Sequence, residues 1–160
     1  MFATKRDFLL LLVTLGVGTI VGYIFSPKEI GTNVSERGKL SVAEICNHNV
    51  GVVLLILIVG MLTYGIVAYL LLFINGLSLG IVMANITLGN IIFTLIPYSI
   101  FELAAFIIAA FASINLSRQL RQTIKQKNTS IMWQYVGYDK LFLAIVFVFL
   151  GSAAILEVHI

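Results

Sequence analysis

Residues 50–116 read VGVVLLILIVGMLTYGIVAYLLLFINGLSLGIVMANITLGNIIFTLIPYSIFELAAFIIAAFASINL, and the only charged side chain in that stretch is Glu102. Asn75-Gly76 and Pro97 are its strongest breakers. Apolar runs longer than about 18 residues are the length of membrane-crossing helices. A chain built on this segment belongs in lipid, and a carboxylate inside it must have a partner or a task.

The rest of the chain agrees. Its 160 residues are 60% hydrophobic and 11% charged, against about 25% charged in soluble domains. The mean hydropathy is +1.07. The expected fold class is all-α: one polytopic membrane bundle of five transmembrane helices, spanning 8–25, 50–74, 77–96, 98–116 and 141–158. A net charge of +3 is too small for a nucleic-acid partner, and the basic residues sit beside spans, where they set topology and meet anionic lipid.

Outward from the centre, 26–49 is polar, and its charges cancel: Lys28, Arg37 and Lys39 against Glu29, Glu36 and Glu44. Ser41 followed by Glu44 fits a capping box before a short surface helix. Phe8 to Phe25 follows a head bearing Lys5 and Arg6, is long for a signal-peptide core and lacks an A-x-A cleavage pattern, so it reads as an uncleaved span. It carries Gly18-x-x-x-Gly22, a spacing that lets helix backbones approach closely. Downstream, 117–140 holds Arg118, Arg121, Lys125, Lys127 and Lys140 against Asp139 alone, with Trp133, Tyr135 and Tyr138 as interfacial aromatics. Basic segments favour the cytoplasm. With five spans, the amino end and 117–140 lie inside, the carboxyl end lies outside, and the Asn75-Gly76 turn lies inside. The rival layout makes 77–116 re-entrant, which is allowed only where protein or a water-filled cavity surrounds it.

Glu102 heads a helical stripe of small residues, Ala105, Ala109 and Ser113. It is expected to face Asn85, Asn90 or backbone freed by Pro97. Three roles stand open: a structural pin, a contact for a partner helix or cationic ligand, and a proton or ion relay, for which this core offers a single acid. The lone Cys46 excludes an intramolecular disulfide and reads as an ordinary thiol, with only His48 nearby. His48 and His159 lie outside the spans, and no Walker, GxSxG or HExxH pattern occurs. No catalytic set, metal site or cofactor site is expected.

Asn49 heading a span, glycines 60 and 65, Asn75-Gly76-x-x-x-Gly80, and Pro97-x-x-Ile100-Phe101-Glu102-Leu103-Ala104 together resemble the stage II sporulation protein M family, over about residues 47–116. Tyr98 and Ser99 stand where that family has His and Gly. Ala104 replaces its second Pro, and Ser113-Ile114-Asn115 replaces a glycine-rich end. The resemblance implies a five-span protein of the bacterial cytoplasmic membrane without enzymatic activity. Sporulation members act as scaffolds that recruit cell-wall-degrading partners. Divergent relatives accompany circular bacteriocin export and producer immunity, alongside an ABC exporter. The first expectation is therefore a scaffold for membrane or cell-wall partner proteins, docking through 26–49 and the small-residue seams. The second is a bacteriocin component whose Glu102 meets a cationic apolar peptide. The third is a small oligomeric transporter with a path through Asn85, Asn90 and Glu102. A homodimer is expected because the glycine and alanine seams exceed what one short chain buries.

Overall fold

The computed structural model describes residues 3–27, 42–126 and 130–159, with backbone alone at 130–139 and 159. The elements are α1 (Lys5–Phe25), α2 (Val42–Leu62), α3 (Ile66–Asn85), a one-turn α4 (Leu88–Asn90), a π-helical turn (Ile91–Leu95), α5 (Ile96–Gln126) and α6 (Ser130–His159). Every element among the described residues is helical. Among the described residues, five helical stretches are long and apolar enough to cross a membrane: α1, α2, α3, the 39-residue run Leu88–Gln126, and Lys140–Val158.

The breaks differ from those read in the sequence. The chain runs as helix straight through Asn75-Gly76 and turns instead at Thr63–Gly65. There, the Gly65 N–H donates to the Gly60 carbonyl at 2.7 Å, closing the end of α2 in a Schellman-type arrangement. Tyr64 holds the left-handed position at φ +58° that glycine usually takes, and Gly65 follows at φ +87°. The Thr63 hydroxyl donates to the Val59 carbonyl at 2.7 Å and accepts from the Val67 N–H at 3.2 Å, tying both helices to the turn. Gly65→Ala is expected to cost at least about 1–2 kcal/mol, because its Cβ would also lie 2.8 Å from Ile114 Cγ1. Thermal unfolding in detergent, against wild type, measures it.

Why Asn75-Gly76 does not break follows from the solvent. In lipid no water competes for the backbone, so helix continues unless a residue is sterically excluded. The Asn75 amide donates back to the Leu71 carbonyl at 2.8 Å, and Gly76 is spent on packing. Pro97 likewise starts no new helix. The Ile96 N–H bonds to the Ile91 carbonyl, and this π register upstream absorbs the donor that proline lacks. The real second break is Ile86–Thr87, where Thr87 caps the next turn by accepting from the Asn90 N–H. The spans expected at 50–74, 77–96 and 98–116 are thus 42–62, 66–85 and 88–126. The segment 117–126 is helix, not loop. Residue 41 lies outside the described residues, as do the side chains of Trp133, Tyr135 and Tyr138.

α1 and α3 run parallel and form the tightest pair. Gly18 and Gly22 seat the Phe73 and Leu77 carbonyls of α3, and Gly76 and Gly80 seat the Leu15 and Thr19 carbonyls of α1. The two G-x-x-x-G motifs therefore face each other within one chain. The glycine seams, one part of the surface on which a dimer was expected, are filled by α1 and α3 of one chain. α5 packs along α2 and α6 on a core of Val53, Ile56, Phe106, Ala109, Val146 and Leu150, all 1% exposed or less. Around it, large apolar side chains such as Ile20, Ile66, Phe93 and Val148 are exposed, as a lipid-facing surface requires.

The bundle is tied at both ends. At one, Arg118 of α5 makes a bidentate pair with Asp7 of α1, with N···O distances of 2.9 and 2.7 Å. Phe8 meets Phe111 edge-on at 6.1 Å. The basic head and the basic end of α5 therefore share one end, as the charge pattern requires. At the other end, the Asn85 amide donates to Ser26 Oγ at 2.8 Å.

Candidate functional site

Between α3 and the first turns of α5 lies a cleft of about 140 Å³. Its polar lining is Asn75 and Ser78 from α3, and Tyr98, Ser99 and Glu102 from α5; Leu95 and Val82 close its sides. Each side chain is there for a local reason. Pro97 and the π turn re-aim the start of α5, so that 98, 99 and 102 fall on one face. Ser99, buried, spends its hydroxyl on the Leu95 carbonyl. Asn75 and Ser78 are three apart on α3 and share the face towards α5, while Gly76 and Gly80 turn towards α1.

Glu102 is half-buried in this cleft. Below it Ala105 and Ala109 are fully buried. Phe101 fixes the adjacent face of α5 against α6, edge-on to Phe149 at 5.9 Å. That antiparallel contact brings Glu157, near the end of α6, into electrostatic range of Glu102. The membrane acid therefore feels a second acid through space, which the place of 157 in the polar tail conceals. No residue spacing links 102 to 157; only the register of α5 on α6 does.

The other expected members do not join. Asn85 is exposed and bonded to Ser26 and to the Ile81 carbonyl, at the end of α3. Asn90 is exposed in the one-turn helix α4, where its backbone meets Thr87. Neither lines the Glu102 cleft, so the polar path Asn85–Asn90–Glu102 is not formed. Asn75, a helix breaker by residue type, takes their place beside the acid. Asn49 is buried in α2, 3% exposed, and does not line the cleft. Tyr98 does, where the resembled family has histidine.

Chemically the cleft offers one carboxylate, one carboxamide, two hydroxyls and a phenol in a partly dehydrated place. That set accepts hydrogen bonds from a cationic or N–H-rich group. Among the described residues, no group of three or more His, Cys, Asp or Glu side chains could hold a metal ion.

Comparison with known proteins places the chain. It is 25% identical, over 169 aligned positions covering 98% of this chain and 94% of the relative, to an uncharacterised protein of Methanocaldococcus jannaschii. No solved structure matches. Residues 10–160 match the family model described as Stage II sporulation protein M, which takes in the glycine pair α1–α3, the Glu102 cleft and α6 together. The chain belongs to the stage II sporulation protein M family.

Proposed function

We propose that this multi-pass membrane protein is a non-catalytic scaffold of the bacterial cytoplasmic membrane, and that it holds partner proteins through the cleft between α3 and α5. The observation that carries this is where Glu102 sits. A carboxylate serving only to pin helices would be sealed against a hydrogen-bond donor in the core. Glu102 instead lies half-buried in an open cleft with Ser78, itself exposed, at its edge. A partner segment that presents a cation or N–H donors gains a charge-assisted contact there, strengthened by the surrounding lipid. Family membership supports the same reading, since it is the sporulation members' plan to recruit cell-wall-degrading partners.

The test is a photo-crosslinking residue at position 78 in the native host. An adduct with one membrane or wall-associated partner is expected. Glu102→Gln, which keeps shape and removes charge, should lower its yield about tenfold, equivalent to about 1.4 kcal/mol of contact, with extraction and unfolding unchanged. An adduct of equal yield from Glu102→Gln would return Glu102 to the role of a structural pin.

One observation favours a second reading. Glu157 lies within electrostatic range of Glu102 and adds to the negative field at the cleft, which suits a cationic apolar peptide and hence bacteriocin export or immunity alongside an ABC exporter. A sensitive host expressing the chain should then resist such a peptide, and Glu102→Gln should abolish the resistance.

A further inference from the structure

The opposite end of the bundle carries a second cavity, of about 210 Å³, which the cleft reading leaves unused. It is lined by Asp7 of α1, Tyr64 of the α2–α3 turn, Tyr69 of α3, and Ser117, Arg118 and Arg121 of α5. Three stretches far apart in sequence, around Asp7, 64–69 and 114–121, thus converge on one chamber. We infer that this cavity is a binding site for a phosphate ester, with Arg121 as the principal ligand.

Charge is the first reason. Asp7 is spent on Arg118 through two parallel hydrogen bonds. One carboxylate therefore faces two guanidinium groups, and the lining keeps a net positive charge. The cavity adjoins the head carrying Lys5 and Arg6, so the surrounding field has the same sign.

The second reason is the placement of Arg121. Its guanidinium carbon sits 3.4 Å above the Tyr64 ring centroid. A guanidinium on a ring uses its flat face and keeps its in-plane N–H fork for a second partner. A long side chain that would otherwise wander is thereby held ready, and the fork geometry matches phosphate oxygens. Tyr64 reaches this position from a left-handed backbone, φ +58°. A bulky residue there is unusual, and such outliers gather at ligand sites. Two phenols and the Ser117 hydroxyl supply further polar groups.

Depth is the third. Asp7 lies in the first turn of α1, and Arg118 lies two residues past the end of the apolar stretch at Leu116. The chamber stands where apolar surface gives way to polar, the level of lipid headgroups, and its tyrosines fit that level. An anionic lipid headgroup and a small soluble phosphate ester share this chemistry.

The test uses the purified full chain in a neutral detergent, with unfolding followed on addition of phosphatidylglycerol, phosphatidylcholine or inorganic phosphate at matched ionic strength. Wild type, Arg121→Gln and Lys125→Gln are compared; Lys125 is exposed one turn beyond Arg121 and does not line the cavity. Phosphatidylglycerol is expected to raise the wild-type midpoint by at least about 3 °C, with the shift lost in Arg121→Gln and kept in Lys125→Gln. Phosphatidylcholine, whose phosphate is balanced by its own cation, should give no shift. An Arg121-dependent shift from inorganic phosphate with nothing more from phosphatidylglycerol assigns the site to a soluble phosphate ester. If Arg121→Gln does not fold, Arg121→Lys keeps the charge without the fork and should lose at least half of the shift. Absence of any shift in wild type, or equal loss in Lys125→Gln, overturns the assignment.

Discussion

Leucine at Gly76 and Gly80 is expected to abolish the folded protein, with full-length chain made but not recovered as a monodisperse species after detergent extraction. A Cβ at Gly80 would stand 2.7 Å from the Tyr23 backbone nitrogen and nearer still to the Thr19 carbonyl oxygen. A Cβ at Gly76 would stand 3.1 Å from the Thr19 nitrogen and nearer still to the Leu15 carbonyl oxygen. These obstacles are backbone, so no rotamer change relieves them; the helices must part. Overpacking where side chains can yield costs about 1–3 kcal/mol. Here each site falls at or above the top of that range, and about 3 kcal/mol is already more than a hundredfold in an equilibrium. Gly18→Leu and Gly22→Leu should fail in the same way, because they remove the other half of the same seam. At Gly16 and Gly151 the methyl group that alanine adds would have nothing within 4 Å, so Ala there should leave recovery intact and raise helix stability by up to about 1 kcal/mol. Equal recovery of Gly76→Leu/Gly80→Leu and Gly16→Ala by size-exclusion chromatography would mean that α1 does not pack on α3 through these faces.

The second large effect is expected from charge reversal at the tie between α1 and α5. The Arg118 and Asp7 side chains are 31% and 13% exposed, so the pair is partly withdrawn from water. Its geometry is bidentate, which sets it apart from ordinary surface pairs. Asp7 also accepts from the Thr4 N–H at 2.6 Å, completing a capping box on α1. Asp7→Arg places two cations together and forfeits that cap; the expected loss is about 3 kcal/mol. The exchange Asp7→Arg with Arg118→Asp should recover all but the capping contribution of about 1 kcal/mol. The unfolding midpoint in detergent reads both, at roughly 2–4 °C per kcal/mol for a chain of this size. A single reversal without effect would show that the α1 head is not anchored at this end.

Much of this is open to reading in the residue order. Five apolar stretches, the polar 26–49 segment and the basic flanks are composition, and composition decides who meets lipid. Gly18-x-x-x-Gly22 and Gly76-x-x-x-Gly80 announce close packing. Which partner each takes is not written in either motif; in the structure they take each other, α1 against α3. Asn75-Gly76 looks like a turn because its residue types carry a preference that belongs to water. Inside lipid the preference loses its competitor, and Tyr64, a poor turn residue on paper, occupies the left-handed corner instead.

The site divides along the same line. Glu102 stands out in the sequence because charge in an apolar run is costly wherever the helices end up. Asn75 and Ser78 could not be assigned to it, nor could the electrostatic reach of Glu157, since these depend on how α3 and α6 are rotated and registered against α5. The pairing of Arg121 with Tyr64, 57 positions earlier in the chain, is of the same kind. Sequence alone determined that the chain crosses a membrane five times and that one acid lies within it, because transfer free energy is a property of each residue and its near neighbours. Tertiary structure alone decided which glycines meet, where the chain turns and which polar groups share a cavity, because those follow from the fit of helix surfaces that no local pattern encodes.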